Sequence, residues 1–320
     1  MSPFHLTRTL PEDATDAALR ADVLHGLTAD PKTLPPKWFY DAHGSELFER
    51  ITELPEYYPT RAEREVLIAR AADIAAATGA RTLVELGSGS SAKTRHLLEA
   101  FPGLNVYVPV DVSESALTQA GQALVAERPG LAVHALIADF TARLELPDTP
   151  GPRLLVFLGG TIGNLLPAER AEFLASARAL LAPGDALLLG TDLVKDEEVL
   201  VRAYDDAAGV TAAFNRNVLS VVNRELGADF DPGAFEHVAL WDPEREWIEM
   251  RLRSRQAQTV KIPAVGLAVE FAAGEELRTE VSAKFREEGV RAELAAAGLE
   301  LTHWWTDGEG RFALSLSVAR

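Results

Sequence analysis

From Thr82 to Val194 the chain alternates short runs that are apolar throughout with longer stretches whose apolar residues recur at helical spacing. The first run is TLVEL, Thr82 to Leu86, after which a glycine and serine turn leads into a helix opening near Ser91. NVYVPVDVS gives a second strand ending at Asp111, followed by a helix from Ser115 to Arg128, and LAVHALIADF gives a third strand closed by Asp139 and Phe140. Beyond the turn-rich PDTPGPR, LLVFLGGTIGNL reads as a fourth buried strand, Pro167 to Leu181 as a helix, and ALLLGTDLV as a fifth strand. A strand that is apolar at every position is covered on both faces, and the helices between such strands are the crossovers that parallel pairing needs. The predicted fold class is α/β: a doubly wound, mostly parallel, Rossmann-like sheet that takes ligands beyond the carboxyl ends of its strands.

The pattern stops on both sides. Ahead of it, after a short helix from Asp16 to Leu27, DPKTLPPKWFYDAHGSELFERITELPEYYPT carries too many prolines and aromatics for regular structure throughout and reads as a covering segment. Arg61 to Thr78 has helical spacing, with Gly79 as its stop. After Lys195, AYDDAAGVTAAFNRNVLSVVNRELGADF is mainly helical, while EHVALWDP and REWIEMRLRSRQAQTVKI are strand-like. The chain ends in a helix, a strand, a hairpin turn at Asp307 to Gly310 and a last strand. The expected organisation is a covering segment over 1–60 that belongs to a substrate lobe, a ligand-binding domain over 61–195, an inserted α+β lobe over 196–286, and 287–320 completing the first domain.

Gly87 and Gly89, between the first strand and its helix, let backbone approach a ligand where a Cβ would collide. Glu85 precedes them, and position 92 holds alanine where the dinucleotide fingerprint has its third glycine, so a pyrophosphate is disfavoured. S-Adenosylmethionine carries an amino-acid group, a sulfonium and an adenosine, and needs acids rather than phosphate donors. Asp111 at the end of the second strand suits the ribose hydroxyls, and Asp139 and Phe140 at the end of the third suit the adenine amino group and ring. Any one of these acids is as readily a turn cap; three consecutive strand ends with suitable groups favour the cofactor. Lys93 reads either as a solvated residue or as a partner of the cofactor carboxylate near a helix N-terminus.

With 48 acidic against 31 basic residues and a formal charge of −17, the chain offers no clustered cations for nucleic acid or an anionic membrane. It has no cysteine, hence no disulfide, thiolate nucleophile or cysteine-held zinc, which fits a reducing compartment; no metal is expected. No run approaches the roughly 18 apolar residues of a membrane span. Glu12, Asp13, Asp16 and Asp22 interrupt what would be the apolar core of a signal peptide, so a cytoplasmic location is expected.

The segments PPKWFYDAHGSELFERITELPEYYPTRAE, VELGSGSSAKTR, FLGGTIGNL and LLGTDLVKD, the run AYDDAAGVTAAFNRNVL, and the pair EVSAKF and HWWTD together resemble the histidine-specific Nα-methyltransferases of ergothioneine biosynthesis, over nearly the whole chain. The resemblance implies three successive methyl transfers from S-adenosylmethionine to the α-amine of L-histidine, through the mono- and dimethyl intermediates, giving hercynine and S-adenosylhomocysteine. It implies that Gly87, Lys93, Asp111, Asp139 and Phe140 hold the cofactor and that Asn164 and Tyr204 bind the substrate carboxylate. Tyr57 is placed near the amine, Glu280 and Ser282 at the imidazole, and Phe48, Thr161 and Met250 are further candidates for the substrate pocket.

A glutamate and a hydroxyl two positions apart on an extended segment share a face and can bond an imidazole N–H, which an apolar pocket cannot distinguish. Read without the resemblance, the same pair is a surface acid beside a helix-capping serine. Tyr40 and Phe48 are candidates for an aromatic wall facing a quaternary ammonium product through cation–π attraction. Tyr57 and Tyr40 are the candidates for a catalytic role, Tyr57 accepting a proton by way of water. Rival readings are a methyltransferase for another amino acid or small amine, a non-catalytic S-adenosylmethionine-binding protein, and a nicotinamide dehydrogenase. A monomer is expected from the resemblance.

Overall fold

The chain begins with β1 (Phe4–Arg8), α1 (Ala14–Thr28), the two-residue β2 (Lys32–Thr33) and α2 (Ala42–Glu53). It continues through α3 (Pro59–Thr78), β3 (Thr82–Leu86), α4 (Thr94–Ala100), β4 (Val106–Asp111), α5 (Glu114–Glu127), β5 (Ala132–Ile137), β6 (Arg153–Phe157), α6 (Pro167–Ala179) and β7 (Ala186–Asp192). Then follow α7 (Glu197–Tyr204), α8 (Val210–Leu226), β8 (Phe235–Asp242), β9 (Trp247–Ser254), β10 (Gln258–Ile262), β11 (Leu267–Phe271), β12 (Glu276–Ala283), α9 (Glu287–Ala296), β13 (Leu299–Thr306) and β14 (Phe312–Ala319). The computed structural model describes residues 3–11, 13–89, 91, 93–141 and 144–320. Residues 1–11, 59–193 and 285–320 make one unit, and residues 12–58 and 194–284 a second.

The first unit is built on an eight-stranded sheet in the order β1-β5-β4-β3-β6-β7-β14-β13. Strands β1 to β7 within it pair in parallel, and β14 runs antiparallel to both β7 and β13. This is the α/β class the apolar runs indicate: every residue of β3 and of β7 is buried, as a strand covered on both faces requires. From β3 the chain winds outward through β4 to β5, then returns to β6 and β7, so the order reverses beside β3 and opens a crevice at the carboxyl ends there.

Two expectations for this unit are corrected. The fourth run is a strand only over β6; Gly159 and Gly160 follow at φ +78° and +67°, conformations that end a strand, and Thr161–Asn164 coil into a 3-10 turn. The helix expected near Ser91 starts at Thr94, because Ser91 itself is left-handed at φ +55°. Ser90 and Ala92 lie outside the described residues.

The expected boundary of 1–60 also shifts, because the N-terminus joins the sheet. FHLTR pairs in parallel with β5 at the sheet edge, and the Phe4 ring lies where a Cβ on Gly121 of α5 would meet it at 2.3 Å. Phe4, Leu6 and Leu10 cover the buried Leu117, Ala135 and Ile137. Five residues with only Phe4 and Leu6 apolar carry too little periodicity to announce such a strand. A Gly121→Ala substitution is expected to push the ring out and lower stability by about 1–3 kcal/mol, the usual range for overpacking, read as a lower denaturant midpoint with faster proteolysis of the N-terminus.

The second unit holds a four-stranded sheet, β2-β12-β9-β8, and the hairpin β10-β11. The covering segment is more regular than its prolines suggest, because Asp41 starts α2: its Oδ1 accepts the Gly44 N–H at 2.7 Å and the Asn217 amide at 2.8 Å. Asp206 does the same for α8, accepting the N–H groups of Val210 at 3.0 Å and Thr211 at 2.7 Å. These contacts hold both carboxyls below their ordinary range against the opposing effect of burial.

Opposed residues share a face of a sheet. On β12 the pairings Glu276 with Arg253 and Arg278 with Arg251 give way, after a register shift, to Glu280 with Met250 and Ser282 with Ile248. The even-numbered residues therefore change face between Arg278 and Glu280. Ahead of the shift they join a charged ladder in which Glu276 receives hydrogen bonds from Arg251 and Arg253; beyond it they join Met250 and Ile248 on the other face. No helix among the described residues is long and apolar enough to cross a membrane.

Candidate active site

At the carboxyl ends of β3 to β6 the first unit gathers the residues expected around a cofactor. Gly87 is at φ +67°, and a Cβ there would lie 3.4 Å from the Phe140 ring. Gly89 is at φ +49° with open space where its Cβ would stand, and its N–H donates to Asp111 Oδ2 at 2.9 Å. Asp111 Oδ1 accepts from the Ser113 N–H at 2.9 Å, so the acid orients both turns that flank it. Ser88 Oγ is buried without a hydrogen-bond partner among the described residues. A buried hydroxyl of that kind calls for a polar guest. Open space over a glycine, that hydroxyl and an adjoining carboxylate fit the amino-acid and ribose groups of S-adenosylmethionine. Asp139 Oδ1 is committed to Thr141, accepting from its N–H at 2.8 Å and its hydroxyl at 2.6 Å, so a ligand contact falls to Oδ2. Phe140 packs edge-on against Phe157, ring centroids 5.2 Å apart.

Two buried acids lie behind this corner: Glu85, which the sequence singled out, and Glu63, which it did not. Glu63 of α3 is fully buried, accepts from the Lys93 ammonium and accepts the Gly159 N–H at 2.6 Å. Lys93 is thus oriented by an acid from a distant helix, which takes one of its three donors. Glu85 accepts hydrogen bonds from the hydroxyls of Thr94 and Tyr107. Burial pushes its carboxyl up to about 7, against those two bonds and Lys93, with the charge of Glu63 adding to the rise. An acid raised on folding binds a proton that the unfolded chain has released, so its contribution to stability falls as pH rises from the ordinary carboxylate range to about 7. The melting temperature of Glu85→Gln relative to the parent is accordingly expected to rise between about pH 5 and about pH 8. A difference that stays flat across that window would show the carboxyl to be ionised throughout.

The remaining candidates, Tyr40, Phe48, Tyr57, Tyr204, Met250, Glu280 and Ser282, fall in the second unit, whereas Thr161 and Asn164 sit in the 3-10 turn of the first. Tyr204 ends α7, and its hydroxyl lies 2.8 Å from Ser282 Oγ. Its carbonyl accepts a 2.8 Å hydrogen bond from His237 Nε2, which leaves Nδ1 to accept from the Asn215 amide at 2.8 Å. Burial lowers the His237 pKa and keeps the ring in this neutral form. The Thr279 hydroxyl at the register shift donates to Asn215 Oδ1 at 2.6 Å, tying β12 to the same network. Met250 is buried opposite Glu280.

The rings of Tyr40, Phe48 and Tyr57 form a chain of edge contacts: 5.5 Å between Tyr40 and Phe48, 6.1 Å between Phe48 and Tyr57, and 6.4 Å from Tyr57 to Tyr204. Phe214 of α8, which the sequence did not single out, backs both Tyr40 and Phe48. Surrounding protein raises the Tyr40 phenol above its ordinary value, and Glu280 and then Tyr204 raise it further. Because 51% of the residue is accessible, it lines open space rather than filling core, and it does so as the neutral phenol. Among the described residues no group of His, Asp and Glu is gathered to hold a metal ion.

A family model described as histidine-specific methyltransferase, SAM-dependent, matches residues 19–319. The chain is 61% identical over 316 residues to a histidine N-alpha-methyltransferase of Mycolicibacterium smegmatis, with 98% of each protein covered. It is 57% identical over 312 residues to a protein of the same name from Mycobacterium tuberculosis, with 97% of each covered. An ergothioneine biosynthesis protein 1 of Neurospora crassa is 29% identical over 301 residues, a match that spans 87% of this chain and 32% of that protein.

Proposed function

The chain belongs to the histidine-specific, S-adenosylmethionine-dependent methyltransferases, and from that membership we propose how its residues trimethylate the α-amine of L-histidine to hercynine, a step of ergothioneine biosynthesis. The observation that carries the proposal is the 2.8 Å contact of Tyr204 with Ser282, which brings the residue assigned to the substrate carboxylate against one assigned to the imidazole.

In the first unit, the Gly87 to Gly89 turn, Lys93, Asp111, Asp139 and Phe140 hold S-adenosylmethionine. When bound, it supplies an electrophilic methyl on a sulfonium whose positive charge also favours the neutral amine. In the second unit, Glu280 accepts an imidazole N–H and Ser282 bonds the same ring, the polar pairing that separates histidine from apolar side chains of similar size. Tyr204 takes the carboxylate. Tyr40, Phe48 and Tyr57 present ring faces and edges to an amine that gains methyl groups until it is a quaternary cation. As a neutral phenol, Tyr40 acts through its ring rather than as a base; Tyr57 passes the amine proton to water. The chain's own work is positioning and exclusion of water, which can account for much of a barrier reduction. The enzyme acts on the free amino acid as a cytoplasmic monomer.

Purified protein given S-adenosylmethionine and an equimolar panel of the twenty amino acids is expected to convert histidine alone, through one and two methyl additions to three. Methylation of another amino acid in preference would sink the roles of Glu280 and Ser282, and cofactor binding without turnover would favour a binding protein.

A further inference from the structure

Glu63 of α3 has no exposed surface, and the fold makes room for it. Position 190 of β7 is glycine, and a Cβ there would stand 2.6 Å from Glu63 Oε1. A glycine inside a strand costs stability and often marks the close approach of another group, which here is the carboxylate. Each carboxylate oxygen receives a donor from a different side of the crevice. Oε1 accepts the Gly159 N–H beyond β6 at 2.6 Å, and Oε2 accepts from the Lys93 ammonium ahead of α4. All of these residues belong to the first unit.

These two donors fix the residue type. They need two acceptors, and a glutamine would turn its amide N–H groups toward one of them. The ion pair is also one-sided: the lysine side chain keeps 28% of its accessible surface while the glutamate keeps none. A ligand in the crevice therefore meets the ammonium, with the acid behind it. A Cβ on Gly159 would come 3.7 Å from Nζ, so the ammonium stands beside the turn that the same carboxylate holds. An unrestrained lysine gives up much rotamer freedom when it binds a ligand; one held by a buried acid has given it up on folding. A preset cationic donor suits an anion, and the anionic group of S-adenosylmethionine is the carboxylate of its amino-acid chain.

We propose that Glu63 is a positioning residue of the cofactor site, which aims the Lys93 ammonium and fixes the Gly159 turn beside it, so that the site selects a cofactor bearing a free carboxylate. The proposal rests on the reading of Lys93 as the partner of that carboxylate. It makes selection of the cofactor's amino-acid chain depend on a residue that the ligand never touches.

The test is calorimetric titration of the full chain with S-adenosylhomocysteine and with its decarboxylated analogue, which keeps the adenosine, the thioether and the amine. Glu63→Gln is expected to weaken S-adenosylhomocysteine by about ten- to thirtyfold, the scale of the rotamer freedom a lysine regains, and the analogue by less than about threefold. In a Lys93→Met background, adding Glu63→Gln is expected to change either affinity by less than about threefold, because the acid acts through the lysine. If Glu63→Gln does not accumulate folded, Gly190→Ala displaces the same carboxylate from the opposite side and carries the same expectation. Equal weakening of both ligands, no weakening of either, or the full loss repeated in the Lys93→Met background would overturn the proposal by making Glu63 a structural residue. Tighter binding of S-adenosylhomocysteine would overturn it by showing that the acid tempers the ammonium more than it aims it. A Lys93→Met variant that binds both ligands as the parent does would instead overturn the reading of Lys93, and this proposal with it.

Discussion

An Asp111→Ala variant is expected to bind S-adenosylmethionine at least about a hundredfold more weakly than the parent. The carboxylate has two tasks: one oxygen holds the Gly89 N–H and the other the Ser113 N–H, while their remaining lone pairs are assigned to the ribose hydroxyls. Hydrogen bonds to a charged acceptor contribute about 1.5–3 kcal/mol each, so losing a pair of them corresponds to two or more powers of ten in affinity. The residue is half-buried at the end of β4, and its truncation leaves the sheet pairing untouched. The variant loses the Gly89 and Ser113 hydrogen bonds with or without cofactor and should melt below the parent, so the deciding measurement is cofactor titration of the folded protein. Asp111→Asn, which keeps one acceptor oxygen, should fall between the two. A cofactor affinity within about threefold of the parent for Asp111→Ala would reduce Asp111 to a turn cap.

Glu280→Ala should change which substrate is used more than how fast the best one reacts. Glu280 is partly buried on the face shared with Met250 and close enough to Tyr40 for its charge to raise that phenol. A site built to hydrogen-bond a ring N–H rejects analogues that lack it, because its own acceptor is then left buried and unpaired. Removing the acceptor removes both the attraction and the penalty. For L-histidine kcat/KM is expected to fall about a hundredfold, while for L-phenylalanine it rises, so that the preference between them nearly vanishes. Measuring both ratios in parent and variant decides the matter, and loss of activity toward both amino acids in equal measure would refute the imidazole role. The Tyr40 phenol should titrate lower in the same variant, since one of the charges that raises it is gone.

What could be read in the sequence follows how local each signal is. The parallel strands announced themselves through uninterrupted apolar runs, and the cofactor turn through two glycines and the acids at successive strand ends, all within about sixty residues of one another. Glu63 was invisible because its partner Lys93 is 30 positions away and nothing in RAEREVL distinguishes a buried acid from a solvated one. Phe214 lay within a run read only as helical. Its role comes from its tertiary neighbours Tyr40 and Phe48. The strand β1 was missed for a different reason: it borrows its stability from α5 and the edge of β5, and its own five residues have little pattern to offer.

The register shift on β12 acts as a punctuation mark in a two-letter code. Ahead of it the even positions spell the charged ladder, and after it they spell the pocket. Recognition of the substrate thus depends on a frame as well as on residue identities. Were Thr279 to pair squarely opposite Met250, Glu280 and Ser282 would both still be present in the chain yet fall opposite Glu249 and Trp247, on the other face. Exchanging the letters at 280 and 282 changes one contact at a time, whereas a one-residue slip of the pairing erases the whole word.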